Sequence, residues 1–405
     1  MGLFFSDALQ EDFAATLALG QISHGGAEPG EIIATCGLIT DGDDSSWWEN
    51  WCATADSVAA TAEASATAGW NVSARAAFFR AAVYYGLAFH PLFGSPVDPR
   101  LTEAFGKQRS AFERGIALLD RPPEPLSVPL DGATIPGWFF SAGDGARPVL
   151  VATNGYDAGL PELTLGCALP ALERGYHAVV FDGPGQGRML VEQQVPMRAD
   201  WENVVGPVLD QVLARPDVDP ARVTLMGWSL GGYLALRAAS AEHRLAACIA
   251  DPALYGIPEG FQARLRAAGV GEDVIATYPD LPAGVLSFLA QVIDGDRTMR
   301  WTIKQRGFWV HGVSDVAGYL RATVDFTLAG RLAQVTCPTL VLAAESDPLS
   351  GSAPQAAGEL TGAPSTLVTF TAREGAGDHC EWRNRSRFDQ VAFDWLGGIL
   401  GTPSR

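Results

Sequence analysis

Arg222-Val-Thr-Leu-Met-Gly-Trp-Ser-Leu-Gly-Gly-Tyr-Leu-Ala-Leu-Arg-Ala-Ala239 sets an apolar run, a glycine-bracketed serine and a helix-forming stretch in immediate succession. Its centre, Gly227-Trp-Ser-Leu-Gly231, is a G-x-S-x-G pentapeptide. Glycine and serine are frequent in this chain, so the five-residue pattern alone is weak; the strand before it and the helix after it carry the weight. A serine at the apex of so tight a strand-to-helix turn is forced into strained backbone geometry, and the glycines remove Cβ atoms that would clash with the neighbouring elements. The hydroxyl then stands at a helix N-terminus, where the Leu230 amide can face a developing oxyanion.

A serine hydroxyl is a poor nucleophile at neutral pH and needs a base, which in turn needs an anion to hold its tautomer. Of the histidines after Ser229, His243 lies near the end of the helix that Ser229 starts, and His311 lies in a later helical segment. His379, in the glycine-rich loop Glu374-Gly-Ala-Gly-Asp-His379 after the last strand, is the candidate base. Asp347, in the turn Glu345-Ser-Asp-Pro348 after another strand, is the candidate acid; Asp251 and Asp378 are its rivals. The order Ser, Asp, His is that of an α/β-hydrolase fold. A second oxyanion donor is expected from the Tyr156 amide in the loop Asn154-Gly-Tyr-Asp-Ala-Gly159. Asn154, Asp182, Asp251, Trp228, Trp309 and His311 are candidate pocket residues.

Outward from this centre, short β-like runs alternate with helical ones from about residue 123. The strands are expected at Leu126 to Leu130, Ile135 to Ser141, Pro148 to Thr153, His177 to Phe181, Val223 to Met226, Leu245 to Ala250, Thr339 to Ala343 and Thr366 to Phe370. This is the pattern of a mostly parallel, eight-stranded sheet flanked by helices, with the first pair as an antiparallel edge because it leaves no room for a crossover helix. Residues 1–122 are rich in Ala and aromatic residues at helical spacing, with helices expected over Ser45 to Ala68 and Ser73 to Phe89, and end at the joint Arg121-Pro-Pro-Glu-Pro125. Residues 253–334 interrupt the core, 123–252 and 335–405, with a helical insertion. It reads as a lid over the pocket or as a subdomain with its own core.

The chain has 405 residues and a formal net charge of −18, a field that repels nucleic acid and anionic membranes. Neither a signal peptide nor a membrane helix is recognisable, so a cytoplasmic protein is expected. Six scattered cysteines without C-x-x-C pairs read as reduced, mostly buried thiols, and no metal-ligand spacing is present. Asp182-Gly-Pro-Gly-Gln-Gly187 lacks the glycine offset of a dinucleotide loop and reads as a tight turn bordering the pocket.

The nucleophile turn, the Asn154-Gly-Tyr-Asp157 loop, Asp182-Gly-Pro-Gly-Gln-Gly187 and Gly377-Asp-His-Cys-Glu381 together resemble one branch of the α/β hydrolases. That branch includes pseudooxynicotine-type C–C hydrolases, fungal polyketide-shortening hydrolases and fermentation-respiration-switch-like proteins. The resemblance implies a cofactor-free enzyme, often a homodimer, whose N-terminal helices and lid enclose a small-molecule substrate, commonly aromatic or polyketide-like. The reaction it implies is cleavage of an ester or of a C–C bond next to a ketone; acyl transfer or cyclisation through the same acyl-enzyme is the alternative, and a non-catalytic binding protein a remote one. C–C cleavage would call for a donor beside the departing carbon, for which His24, Tyr84, Tyr85 and His311 are candidates.

Overall fold

Asp43 opens the first long helix, Asp44–Thr67, by accepting the amides of Ser45 and Ser46 at 2.9 and 3.2 Å. The structure, a computed structural model, describes residues 2–401. The next helix, Asn71–Phe89, is buried along most of its length because its neighbours cover it from several sides. A third, Pro99–Ala117, completes the hairpin-like stack; the sequence reading assigned no helix there, although Asp98 caps it and Pro99 stands at its first position.

Eight strands form one sheet in the order β1-β2-β4-β3-β5-β6-β7-β8. They are β1 Glu124–Leu130, β2 Ala133–Phe140, β3 Arg147–Thr153, β4 His177–Phe181, β5 Val218–Trp228, β6 Ala247–Asp251, β7 Thr339–Ala344 and β8 Ser365–Phe370. β1 pairs antiparallel with β2, and β2 antiparallel with β4; every other pairing is parallel. The expected strands are all present, with shifted ends. β5 begins earlier, because Val218 pairs with Arg147 before the register jumps to Val149 and Val223. β6 ends on Asp251, whose neighbour across the ladder is Trp228.

Parallel strands leave their carboxyl ends on one edge, so the loops after β3, β5, β7 and β8 converge there. The inserted segment lies over that edge. It gathers Phe261, Leu265, Ile275, Phe308, Tyr319 and Leu320 into a small apolar core of its own, while its Trp301 and Trp309 join the main core. Arg297 fastens it to the N-terminal region through Asp7, Asp44 and the Gly42 carbonyl. Among the described residues no helix is long and apolar enough to cross a membrane. All six cysteines are buried and unbridged.

Candidate active site

Ser229 sits between β5 and the helix Leu230–Ala239 with φ 58° and ψ −128°, a conformation a non-glycine residue holds only when its surroundings dictate it. Its glycine neighbours show why the turn tolerates nothing larger. A Cβ on Gly227 would lie 1.9 Å from the Gly231 carbonyl oxygen, and one on Gly232 would lie 2.0 Å from that of Pro252. The Ser229 amide donates to the Asp251 carbonyl at 2.6 Å, which pins the turn to the end of β6.

The side chains of Ser229, His379 and Asp347 come together at the sheet edge. The hydroxyl of Ser229 faces Nε2 of His379 at 2.9 Å, and Nδ1 of His379 faces Asp347 Oδ2 at 2.8 Å. Asp347 also accepts the Leu349 amide at 2.9 Å and the Ser350 hydroxyl at 3.3 Å, so its carboxylate is fixed before the imidazole meets it. Ser346 donates to the Gly377 carbonyl at 2.8 Å and ties the acid's turn to the loop that carries His379. Burial works to lower the His379 pKa, but the hydrogen bond and charge of Asp347 outweigh it and raise the imidazole above its ordinary value. Burial works to raise Asp347, and the hydrogen bond and charge of His379 bring it below the usual carboxylate value.

The loop after β3 runs directly against the nucleophile turn: a Cβ on Gly155 would lie 2.8 Å from the Leu230 nitrogen and 3.0 Å from Ser229 Cβ. This places the backbone of Gly155 beside the Leu230 amide, which as the first residue of its helix has no intrahelical acceptor. Two contacts shape the loop. Asn154 closes it by donating its side-chain amide to the Ala158 carbonyl, and buried Gln186 donates to the carbonyls of Asn154 and Gly155.

Ser229 and His379 open onto a cavity of about 950 Å³, its mouth included, walled mainly by Val83, Leu87, Phe89, Phe93, Trp309 and Trp382. The N-terminal helices, the hydrolase-like core and the insertion all contribute to it. A lining that is mostly apolar with a few polar groups suits a small organic molecule.

Residues 136–394 match the alpha/beta hydrolase family, which is well over half of the chain. The chain belongs to the alpha/beta hydrolase family. It is 33% identical over 354 residues to the 20-hydroxy-prefusarin hydrolase of Gibberella moniliformis, covering 84% of this chain and 83% of that one. Identity to the hydrolase acrC of Aspergillus aculeatus is 30% over 418 residues, 96% of each chain. Among solved structures, a 2,6-dihydroxy-pseudo-oxynicotine hydrolase superposes with a TM-score of 0.74 over 94% of this chain and 95% of that one, at 22% identity. The fold, N-terminal helices included, is thus one already seen in another hydrolase.

In this α/β hydrolase the expected pocket residues separate into two groups. Asn154, Tyr156, Trp228 and Trp309 line the cavity. Asp182, Asp251 and His311 do not, contrary to the reading of the sequence. Asp182 lies beneath its own turn, accepting the Arg188 amide at 2.9 Å, and burial pushes its carboxyl up to about 7. Asp251 is buried behind the nucleophile, 3.8 Å from Arg385, where it forms part of a closed charge cluster with Glu381. His311 stands behind Tyr156, whose hydroxyl it meets at 2.7 Å. The other candidate donors are likewise elsewhere: His24 pairs with Asp389 at 2.7 Å, Tyr84 with Glu31 and Tyr85 with Asp56. Asp378 turns to the Arg383 amide at 3.1 Å, away from its neighbour's imidazole.

The structure also gives parts to residues that sequence reasoning passed over or quoted only as a motif. Cys380 and Glu381 hold φ of 51° and 49°, an unusual pair for non-glycine residues, and thereby bend the chain after His379. Arg385 secures that bend: fully buried, it donates to the Cys380 carbonyl at 2.7 Å and lies 4.3 Å from the Trp228 ring centroid. The cluster therefore touches the backbone on both sides, Ser229 through Asp251 and His379 through Cys380. Gln21, His90, Gln108 and Glu162 line the cavity as well. His90 carried one sequence signal, the His90-Pro91 helix break, which speaks to backbone and not to chemistry. Among the described residues no cluster of His, Cys, Asp and Glu could hold a metal ion.

Proposed function

We propose that this α/β hydrolase uses Ser229 as nucleophile to cleave an ester, or a carbon–carbon bond next to a ketone, in an aromatic or polyketide-like molecule. The observation that carries the reading is the hydrogen-bonded chain from Ser229 through His379 to Asp347, opening onto a mostly apolar cavity. His379 takes the Ser229 proton as the oxygen attacks the carbonyl carbon, and Asp347 stabilises the resulting imidazolium. The tetrahedral oxyanion is received by the Leu230 and Tyr156 amides. Collapse expels an alcohol, or a carbanion stabilised by conjugation, which takes the proton back from His379. Water, deprotonated by His379, then attacks the acyl-enzyme and returns Ser229 with a carboxylic acid as product. The 20-hydroxy-prefusarin hydrolase relative supports a small hydroxylated organic molecule as the substrate class.

The test is a panel of aryl esters, acyl-phenols and β-diketones assayed on the purified protein and on Ser229→Ala, run in ¹⁸O-labelled water. Turnover that vanishes in Ser229→Ala and places one label in the product carboxylate is expected. Parental rates in the variant would remove the nucleophile, and a product without label would shift the reading to acyl transfer.

A further inference from the structure

The N-terminal wall of the cavity carries hydrogen-bonding groups that the chemistry at Ser229 does not use. Gln21 and His90 both line it at 3% and 6% exposure. Among the described residues neither the Gln21 side-chain amide nor the His90 ring nitrogens has a hydrogen-bond partner. Both side chains face the cavity and are not sealed off from it, so a group that enters the site can complete their hydrogen bonds. Close by, Gln108 donates to Glu162 at 3.2 Å, and Glu162 also accepts the Gly159 amide at 2.9 Å. Gly86 makes room for that pair, since a Cβ there would lie 2.5 Å from Gln108 Nε2.

This wall presents no positive charge. Burial drives His90 down to about 4, leaving an uncharged imidazole with one N–H and one lone pair, and burial raises the Glu162 carboxyl. Asp157 is already paired with Arg306. Among the described residues no lysine or arginine lines the cavity, so an anionic guest would lose its hydration without a Lys or Arg counter-charge.

We infer that Gln21 and His90 form a recognition site for an uncharged hydrogen-bonding substituent, a phenolic hydroxyl or ketone oxygen, on an otherwise apolar aromatic substrate, and that the same wall rejects carboxylated analogues. The inference rests on the hydrolase reading of Ser229, because it names the class of molecule which that site receives. An aromatic guest would lie among Phe93, Trp309 and Trp382, and its polar substituent would complete the two open groups.

Isothermal titration calorimetry on Ser229→Ala protein reads binding without turnover, so this test can fail or succeed independently of the hydrolysis assay. The probes are 2-acetylnaphthalene, its 6-hydroxy derivative and 6-acetyl-2-naphthoate. The hydroxy ketone is expected to bind about tenfold more tightly than the parent, and the carboxylate at least about tenfold more weakly. Gln21→Leu and His90→Phe, each added to Ser229→Ala, should bring the hydroxy ketone to within about twofold of the parent. Gln21→Met, which preserves side-chain length, repeats the measurement should Gln21→Leu fold poorly. Equal affinity for hydroxy and parent ketones, a preference unchanged in both variants, tightest binding of the carboxylate, or no binding of any probe overturns the inference.

Discussion

Asp347 meets His379 on the imidazole nitrogen opposite the one that faces Ser229, at 2.8 Å, with its carboxylate held by two further donors. That arrangement fixes Nδ1 as the protonated nitrogen and leaves the Nε2 lone pair for the hydroxyl. Asp347→Asn can bond the opposite tautomer, and is expected to lower kcat roughly 10³–10⁴-fold with little change in KM. The carboxylate also sets the pH profile. The base must be neutral to act, and its pKa lies above the ordinary imidazole value of about 6.5. The kcat/KM of the parent should therefore fall with unit slope on the acid side, with a midpoint above that value, and Asp347→Asn should move the midpoint down. Steady-state rates on an aryl ester from pH 5 to 9 check both statements, and a parental midpoint below 6 contradicts the assignment.

The fold was legible because each of its signals is local. Ser229 announces itself by strand, glycine, serine, glycine and helix in a row, and His379 and Asp347 follow strands whose carboxyl ends parallel pairing brings to one edge. The wall of the cavity was not legible, since it depends on which side chains three separate regions turn towards one another. Asp182, Asp251 and His311 sit near the right edge in sequence, yet the Arg188 amide, Arg385 and Tyr156 hold their side chains away from the cavity. Gln21 and His90 carry no periodicity or spacing that distinguishes a cavity-facing polar residue from a satisfied one. The Pro99–Ala117 helix is a different case. Its Asp98-Pro99 start and the spacing of Leu101, Phe105, Phe112 and Ile116 were readable.

The insertion grips the loop that carries Tyr156. Arg306 pairs with Asp157, its guanidinium 4.8 and 4.9 Å from the ring centroids of Tyr156 and Trp301, while His311 holds the Tyr156 hydroxyl. Arg306→Met leaves Asp157 without its cation and frees the loop, so kcat/KM is expected to fall roughly 10–100-fold and Tm to drop. Adding Asp157→Asn removes the stranded charge, and the double variant should melt above Arg306→Met while remaining slow. Calorimetric Tm and ester kinetics on the three proteins decide it; a double variant no more stable than the single would show that the ion pair is not what holds the loop.

Asp182 offers a test of pH-dependent stability away from the reacting groups. Burial raises its carboxyl to about 7, so the folded state retains this proton after the unfolded chain has lost it near the ordinary value of about 3.9. Stability from this group is therefore greatest below about 4, declines as pH rises between the two values, and levels off above about 7. Asp182→Asn can still accept the Arg188 amide but cannot ionise. Its Tm should fall less than the parent's between pH 4.5 and 7.5, and parallel Tm curves across that range would refute the account.

Glycines on the nucleophile turn and on an open helix face should respond to the same substitution with opposite signs. At Gly227 and Gly232 an added methyl meets backbone oxygen at 1.9 and 2.0 Å, and neither the Gly231 nor the Pro252 carbonyl can retreat without dismantling the turn. Gly227→Ala and Gly232→Ala are each expected to cost more than about 3 kcal/mol or to abolish soluble expression. Gly231→Ala, whose methyl would meet Asn154 and Thr153 backbone at 2.9 Å, should also destabilise the protein because backbone must shift, but less than the other two because the overlap is shallower. Gly106 lies exposed inside the Pro99–Ala117 helix with nothing within 4 Å of a Cβ, so alanine there only removes backbone freedom from the unfolded chain. Gly106→Ala should stabilise the protein by about 0.5–1 kcal/mol. Urea unfolding midpoints on soluble variants give the order directly, and a Gly227→Ala protein as stable as the parent would mean that the cramped geometry around Ser229 is not present in solution.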